Sequence, residues 1–308
     1  MEKVVITTTS FAEYDPTPLD LLSMYSVVMN PHRRKLKPEE VVELASDASG
    51  LVAGTETLDG PVLEKLTCLK VISRVGTGTD NIDRAAAEQL GIRICNTPDA
   101  PTLAVSELTV ALILNLLRKV SLMDRRLRGG IWDKQMGSTL HGKKVGIIGL
   151  GRIGKKVAQI LNSFGCHVSF ADPCVSDCPE CSCSTLEELL VSSDIVSIHA
   201  SAKERLLSSA ALRTMKKGVY IVNMARSGAV DYPALYEMLK EGHIAGAALD
   251  VFPEEPYEGP LRELDNVILT PHVGSYAREC RIEMEVMAVK NLISGLNDAA
   301  AKAGAAHG

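Results

Sequence analysis

Short apolar, β-branched runs alternate with segments of helical amphipathicity along almost the whole chain. Val4–Thr8, Tyr25–Met29, Leu51–Thr55, Lys70–Val75 and Ile92–Asn96 read as strands, being brief apolar stretches bounded by turn formers. After a long helical region follow Lys144–Ile148, His167–Ala171, Asp194–His199, Val219–Met224, Ala245–Val251 and Asn266–Thr270. Between them, segments such as Pro38–Ala48, Gly154–Phe164 and Tyr232–Glu241 space their apolar residues three and four apart, on one helix face. Such alternation builds βαβ units, and hence parallel sheets with helices on both faces. Eleven strands are too many for one modest domain, so the pattern predicts an α/β chain of two doubly wound, Rossmann or flavodoxin-like domains with an active-site cleft between them.

The first break falls near Asn96-Thr97-Pro98, where a proline without a backbone N–H stops the strand. Pro101–Arg128 reads as a long helix or helix pair, and a second crossing lies near Pro271–Ser275. A final helix, about Tyr276–Leu296, then returns to the first domain. The expected domains are therefore 1–98 with 276–308, and 99–275. The Ala/Gly-rich tail Asn297–Gly308 is expected to fray.

With Lys+Arg at 33 against Asp+Glu at 38, the net charge is −5, which argues against nucleic-acid or anionic-membrane partners. The richest apolar run, Leu108–Leu117, is interrupted by Thr109 and Asn115 and falls short of the ~18 residues of a span. Met1–Ser10 lacks the pattern of a secretory leader. A cytoplasmic location is expected, with the eight cysteines as free thiols. Four Phe and one Trp leave the core to aliphatic residues.

Gly149-x-Gly151-x-x-Gly154 follows the apolar strand Lys144–Ile148 and opens a helical pattern. Alone, the three glycines are a weak signal. In this context Gly149 allows the tight turn, Gly151 lets a pyrophosphate approach the backbone, and Gly154 lets helix and strand pack closely. The helix N-terminus offers orphan N–H groups to phosphates. The next strand ends at Asp172, 18 residues past Gly154, where an acid bonds ribose hydroxyls and repels a 2′-phosphate. NAD is therefore expected over NADP.

Ligands of open parallel sheets sit at the carboxyl ends of strands. Past three successive strands lie Arg226, Glu255 and His272. Histidine shuttles protons near neutral pH, a carboxylate beside it favours the imidazolium, and arginine clamps a carboxylate. Singly, each reads more simply as a loop or surface residue; beside a dinucleotide site, the three together point to a catalytic group.

These pieces and their order resemble the NAD-dependent D-isomer-specific 2-hydroxyacid dehydrogenases, especially the phosphoglycerate dehydrogenases, from about Leu51 to Leu296. The resemblance is carried by Arg74-Val-Gly-Thr-Gly-Thr-Asp-Asn-Ile-Asp83, Asn96-Thr-Pro98, Gly130-Ile-Trp132 and Gly149–Gly154. It continues through Asp172-Pro173, Asn223-Met-Ala-Arg226, Gly246-Ala-Ala-Leu-Asp-Val-Phe252, Glu255-Pro256 and Pro271-His-Val-Gly274. It implies that Arg226, Glu255 and His272 are catalytic. It implies that Arg152 and Ile153 bind pyrophosphate, that Asp172 binds ribose and that Asp250 lies near the nicotinamide carboxamide. Thr77, Ala200, Met224 and Ala225 would line the cofactor, and the Val75–Gly76 backbone would receive the substrate carboxylate. A homodimer acting on a 2-hydroxyacid or 2-oxoacid is implied, with 3-phosphoglycerate as the leading substrate. Hydroxypyruvate, glyoxylate and acids such as sulfolactate are the alternatives, and an NADH-sensing protein is an alternative of another class.

Four features depart from the family pattern. Ser227 replaces the usual Gly after the catalytic Arg, and Ser201 the usual Pro after His199. Gly54 stands where phosphoglycerate dehydrogenases often carry a phosphate-binding Arg; Lys134, reaching a partner subunit's site, would compensate. The chain stops soon after the last helix, so no serine-sensing C-terminal domain is expected. Cys174, Cys178, Cys181 and Cys183 crowd one loop, but their spacing fits no standard metal motif and no metal is expected there.

Overall fold

The computed structural model describes residues 1–201 and 204–305. It divides into two compact units, Met1–Pro101 with Ser275–Gly308, and Thr102–Gly274.

In the first unit β1 (Lys3–Ile6), β2 (Ser26–Met29), β3 (Gly50–Ala53), β4 (Val71–Arg74) and β5 (Arg93–Cys95) form a parallel sheet of order β2-β1-β3-β4-β5. Helices α1 (Thr17–Asp20), α2 (Pro38–Ala45), α3 (Gly60–Leu63) and α4 (Arg84–Gln89) connect the strands. Asp59 and Asp83 cap α3 and α4, accepting from Val62 N at 3.1 Å and Ala86 N at 3.0 Å. Val5, Leu51, Leu58, Leu63, Leu66 and Ile72 fill the core beneath these helices, which is aliphatic as the composition requires.

The second unit opens with α5 (Pro101–Arg118) and α6 (Val120–Arg128), a helix pair broken at Lys119, whose φ is +55°. The Asn115 side chain secures the break by accepting from Ser121 N at 2.9 Å. By length and composition α5 is apolar enough to cross a membrane, a property the interrupted run Leu108–Leu117 did not suggest. Half of it is buried, with Val105, Val110, Leu112, Ile113, Leu116 and Leu117 in the unit's core.

There follow β6 (Lys144–Ile148), α7 (Arg152–Ser163), β7 (His167–Ala171), β8 (Ser182–Cys183), α8 (Leu186–Ser192), β9 (Ile195–Ile198), α9 (Ser209–Thr214), β10 (Val219–Asn223), α10 (Tyr232–Lys240), β11 (Ile244–Leu249) and β12 (Val267–Leu269). The parallel sheet runs β12-β11-β10-β9-β6-β7-β8. Strand order reverses at β6, between β9 and β7, which opens a crevice at the carboxyl ends of these strands. The α8 start is a capping box: Thr185 accepts from Glu188 N at 3.2 Å and Glu188 from Thr185 N at 3.0 Å. The two-residue β8, absent from the sequence-based strands, pairs Ser182 with Ser169 and Cys183 with Phe170.

The last helix, α11 (Arg278–Ala305), belongs to the first unit. It lies on that unit's sheet, where Ser73 donates to Ala288 O at 2.7 Å and Asn291 to Asn96 O at 3.0 Å. It runs past Leu296 and through most of the tail expected to fray. Alanine is the strongest helix former, and the Arg93–Asp298 ion pair ties this turn down. Residues 306–308 of that tail lie outside the described residues.

Candidate active site

The turn between β6 and α7 shows why its three glycines are needed. Gly149 has φ +91°, and a Cβ there would sit 2.6 Å from the Ala200 backbone. A Cβ at Gly154 would overlap the Gly149 carbonyl oxygen. Gly151 faces open space, with nothing within 4 Å of where its Cβ would be. It is also the N-cap of α7 and contributes no side-chain cap, so the helix start at Gly151 suits an anionic ligand.

Beside this turn opens a cleft of about 870 Å³. Gly149, Gly151, Asp172, Pro173, Thr185 and Ala200 are among its walls, all from the second unit. The Asp172 carboxylate is fixed by the backbone. Leu150 N donates to Oδ2 at 2.7 Å; Cys174 N and Val175 N donate to Oδ1 at 2.8 and 3.2 Å. A carboxylate has about four acceptor positions, so one remains for a hydroxyl donor. The glycine cradle, the uncapped helix start and this acid fit a dinucleotide.

His199 also lines the cleft. Its Nε2 lies 2.8 Å from Ser197 Oγ, while buried Nδ1 has no partner. Burial pulls its pKa down to about 4, so the ring is neutral at pH 7. The sequence offered no signal for it beyond its place at a strand end.

The acid–base group stands at the carboxyl ends of β12, β11 and β10, adjacent strands. His272 follows β12 in a turn where its N–H donates to Thr270 O at 2.9 Å, and its φ is +54°. A left-handed histidine is strained, so the surroundings must hold it. Asp250, at the end of β11 and 2% exposed, does so. Its Oδ1 accepts from Thr270 Oγ1 at 2.6 Å and Val273 N at 2.8 Å, and its Oδ2 from Gly274 N at 2.9 Å. Asp250 thus fastens the turn that carries the histidine, a task the sequence reading did not give it. Glu255 Oε2 and Oε1 lie 3.0 and 3.2 Å from His272 Nδ1, and Oε1 also accepts from Phe252 N at 3.1 Å. This leaves Nε2 as the ring nitrogen free of the carboxylate.

Arg226 follows β10, its Nη1 donating to Ala225 O at 2.8 Å. The fully buried Asn223 shapes this stretch, donating to Arg226 O at 3.0 Å and accepting from Ala225 N at 3.1 Å. Sequence reading assigned Asn223 no role, although an Asn closing a strand before a turn is a recognisable signal. Met224 and Ala225 are buried along the same segment, and Met224 Cε approaches the Gly274 position.

Val75, Gly76 and Thr77 lie in the first unit, just past β4. Gly76 N donates to Thr97 Oγ1 at 2.8 Å and Thr97 N to Gly76 O at 3.0 Å, while the Arg74 guanidinium folds onto Val75 O. Nearby, Gly54 N donates to both oxygens of Glu56 at 3.1 Å, and Thr7 Oγ1 bonds the same acid. Burial pushes the Glu56 carboxyl above its usual range. Lys134 lies elsewhere, on the exposed stretch after α6, where it shares a small pocket with Met123, Leu127 and Trp132 rather than with the His272 group. Among the described residues, no three His, Cys, Asp or Glu side chains group as a metal site.

Residues 110–274 match the family described as D-isomer specific 2-hydroxyacid dehydrogenase, NAD binding domain. The chain is 40% identical over 275 residues to a glyoxylate reductase of Thermofilum pendens, covering 84% of this chain and 81% of that protein. It is 41% identical over 258 residues to a D-3-phosphoglycerate dehydrogenase of Methanocaldococcus jannaschii, covering 80% of this chain. The match spans only 49% of that relative's length. A crystal structure of a Thermus thermophilus protein superposes with TM-score 0.89 at 35% identity, over 96% of this chain and 97% of that one.

Proposed function

The chain belongs to the D-isomer-specific 2-hydroxyacid dehydrogenases, NAD-dependent oxidoreductases of the CH–OH group, and from that premise we propose that it interconverts D-3-phosphoglycerate and 3-phosphohydroxypyruvate. The reaction type rests on one observation above all, the 3.0 Å contact of His272 Nδ1 with Glu255. His272 Nε2 accepts the C2 hydroxyl proton in oxidation and returns it in reduction. Glu255 stabilises the imidazolium so formed and fixes the ring's tautomer. Arg226 clamps the substrate carboxylate and polarises the reacting oxygen. Gly149–Gly154 and Asp172 would hold NAD, which would supply the hydride acceptor for C2 or, in its reduced form, the hydride donor. Ala200, Met224 and Ala225 line its site in this reading.

A second reading, glyoxylate or hydroxypyruvate, is favoured by the Gly54–Glu56 contact. It puts an acidic side chain, not a basic one, against Gly54, with Arg74 of the neighbouring strand acting on the same acid. The Thermofilum relative's name supports this reading, and the Methanocaldococcus relative's name supports the first. Steady-state kcat/KM for 3-phosphohydroxypyruvate, hydroxypyruvate and glyoxylate with NADH separates the two. A preference of tenfold or more for the phosphorylated acid supports the first; the reverse order rejects it.

We further propose a homodimer. Leu127, Ile131, Trp132 and Met136 are exposed along one stretch, and a monomer rarely leaves so many large apolar groups together in water.

A further inference from the structure

We propose that Cys178 and Cys181 form a reversible oxidation site, a thiol pair that closes to a disulfide and thereby weakens NAD binding. Their sulfurs are 3.2 Å apart, the one thiol–thiol contact among the described residues. They end a four-residue turn, Cys178-Pro-Glu-Cys181, in which Cys181 N donates to Cys178 O at 3.2 Å. A disulfide places sulfurs at ~2.05 Å, so closure draws them together by about 1 Å. The turn lies between β7 and β8, and no strand or helix has to break for this movement.

The oxidant class is a low-molecular-weight disulfide. The Cys178 thiolate attacks one of its sulfurs, breaking that S–S bond and releasing one small thiolate. Cys181 then loses its proton and attacks the Cys178 sulfur of the mixed disulfide, expelling the second small thiolate. Two protein thiols are oxidised, one small disulfide is reduced to two thiols, and the two thiol protons pass to the released thiolates. Burial, with the neighbouring Cys178 thiol, pushes Cys181 up to about 12, which makes it the second thiol to react rather than the first.

The coupling to the cofactor site runs through Val175. It packs against the same core as both cysteines, and its N–H makes the longest of the three bonds to the Asp172 carboxylate, at 3.2 Å. The far side of the turn is tied to α7 by Asn162 Nδ2, which donates to Glu180 O at 2.7 Å. With that side anchored, closure pulls on Val175 and loosens Asp172. This half of the proposal rests on Asp172 reading the ribose; the disulfide itself does not.

The experiment treats the full-length protein with oxidised glutathione. Bridges are mapped by non-reducing mass spectrometry, and NADH affinity is measured by fluorescence titration. The expected result is a Cys178–Cys181 bridge, reversed by dithiothreitol, with the NADH Kd raised at least threefold. Cys181→Ser should stop at a glutathione adduct on Cys178, and Cys178→Ser should show no rise in Kd. No bridge, or one joining other cysteines, overturns the proposal. A bridge with unchanged Kd overturns the coupling. Asp172→Ala separates the two readings: the bridge should still form while the change in Kd disappears. If the change persists there, Asp172 is not the link and the thiol pair stands alone.

Discussion

His272 occupies a backbone conformation that side chains of its size rarely adopt, and it does so beside a carboxylate 3.0 Å away. Strain of this kind persists where surrounding contacts over-determine it. For His272→Ala we expect kcat to fall by ~10²–10⁴ while NADH affinity stays within about twofold, because the glycine turn and Asp172 are untouched. Near-normal kcat would remove the imidazole from proton transfer. His199 leads to a different prediction. Its folded pKa, about 4, lies below the ordinary value of 6.5. Between those values the unfolded chain binds the proton and the folded one resists it. The contribution is therefore intact above pH 6.5 and is lost as pH falls toward 4, with a slope of at most ~1.4 kcal/mol per pH unit. Denaturant melts of wild type and His199→Asn should diverge in that window, wild type losing stability faster on acidification. Parallel curves would mean that His199 titrates normally.

Most elements were legible because period and punctuation agreed. Val145, Ile147 and Ile148 are buried in β6 where the apolar run predicted a strand, and Pro and Asp mark the start of α10 at Asp231–Pro233. The misses have local causes. The strand β8 is two exposed polar residues that pair with β7 and carry no apolar pattern. Helices α1 and α3 are four residues long, too short to show a period. The tail's composition suggested fraying, yet alanine propensity and one ion pair extend α11 to Ala305. Site chemistry followed the same rule. The groups proposed to react sit at strand ends, where position alone singles them out; the groups that hold them in place are seen only once the chain is folded. Asp250 is the clearest case. Asp250→Ala strips the acceptor from one hydroxyl and two backbone N–H groups. At roughly 1–3 kcal/mol per unpaired buried donor, a stability loss of several kcal/mol is expected. The His272 turn should loosen with it, and kcat should fall even under conditions where the variant is fully folded. Calorimetry paired with kcat at low temperature tests this; unchanged kcat in the folded variant would free the turn from Asp250.

At the scale of the whole molecule, the stretch after α6 presents large apolar side chains to solvent. Trp132, the chain's single tryptophan, is 82% exposed and Met136 is 89% exposed. Leaving such side chains in water forgoes about 1.5–3 kcal/mol each. Sedimentation velocity is therefore expected to show a dimer, and Trp132→Lys to shift it toward monomer. A wild-type monomer across micromolar concentrations would reject the assignment. Lys134 lies two residues further on and shares a pocket with Trp132. If the dimer delivers it to the partner's substrate, it is the cation that compensates for Gly54. A phosphate carries nearly two negative charges at pH 7 and binds a facing ammonium in both ground and transition states, so losing Lys134 should raise KM more than it lowers kcat. The penalty should fall on 3-phosphohydroxypyruvate and spare glyoxylate, which has no distal anion. Kinetics of Lys134→Ala on both acids decides the point. Equal losses on both would make its role one of assembly rather than recognition. No loss on either would remove Lys134 from the site and, with an acid rather than a cation at Gly54, turn the substrate assignment toward the small 2-oxoacids.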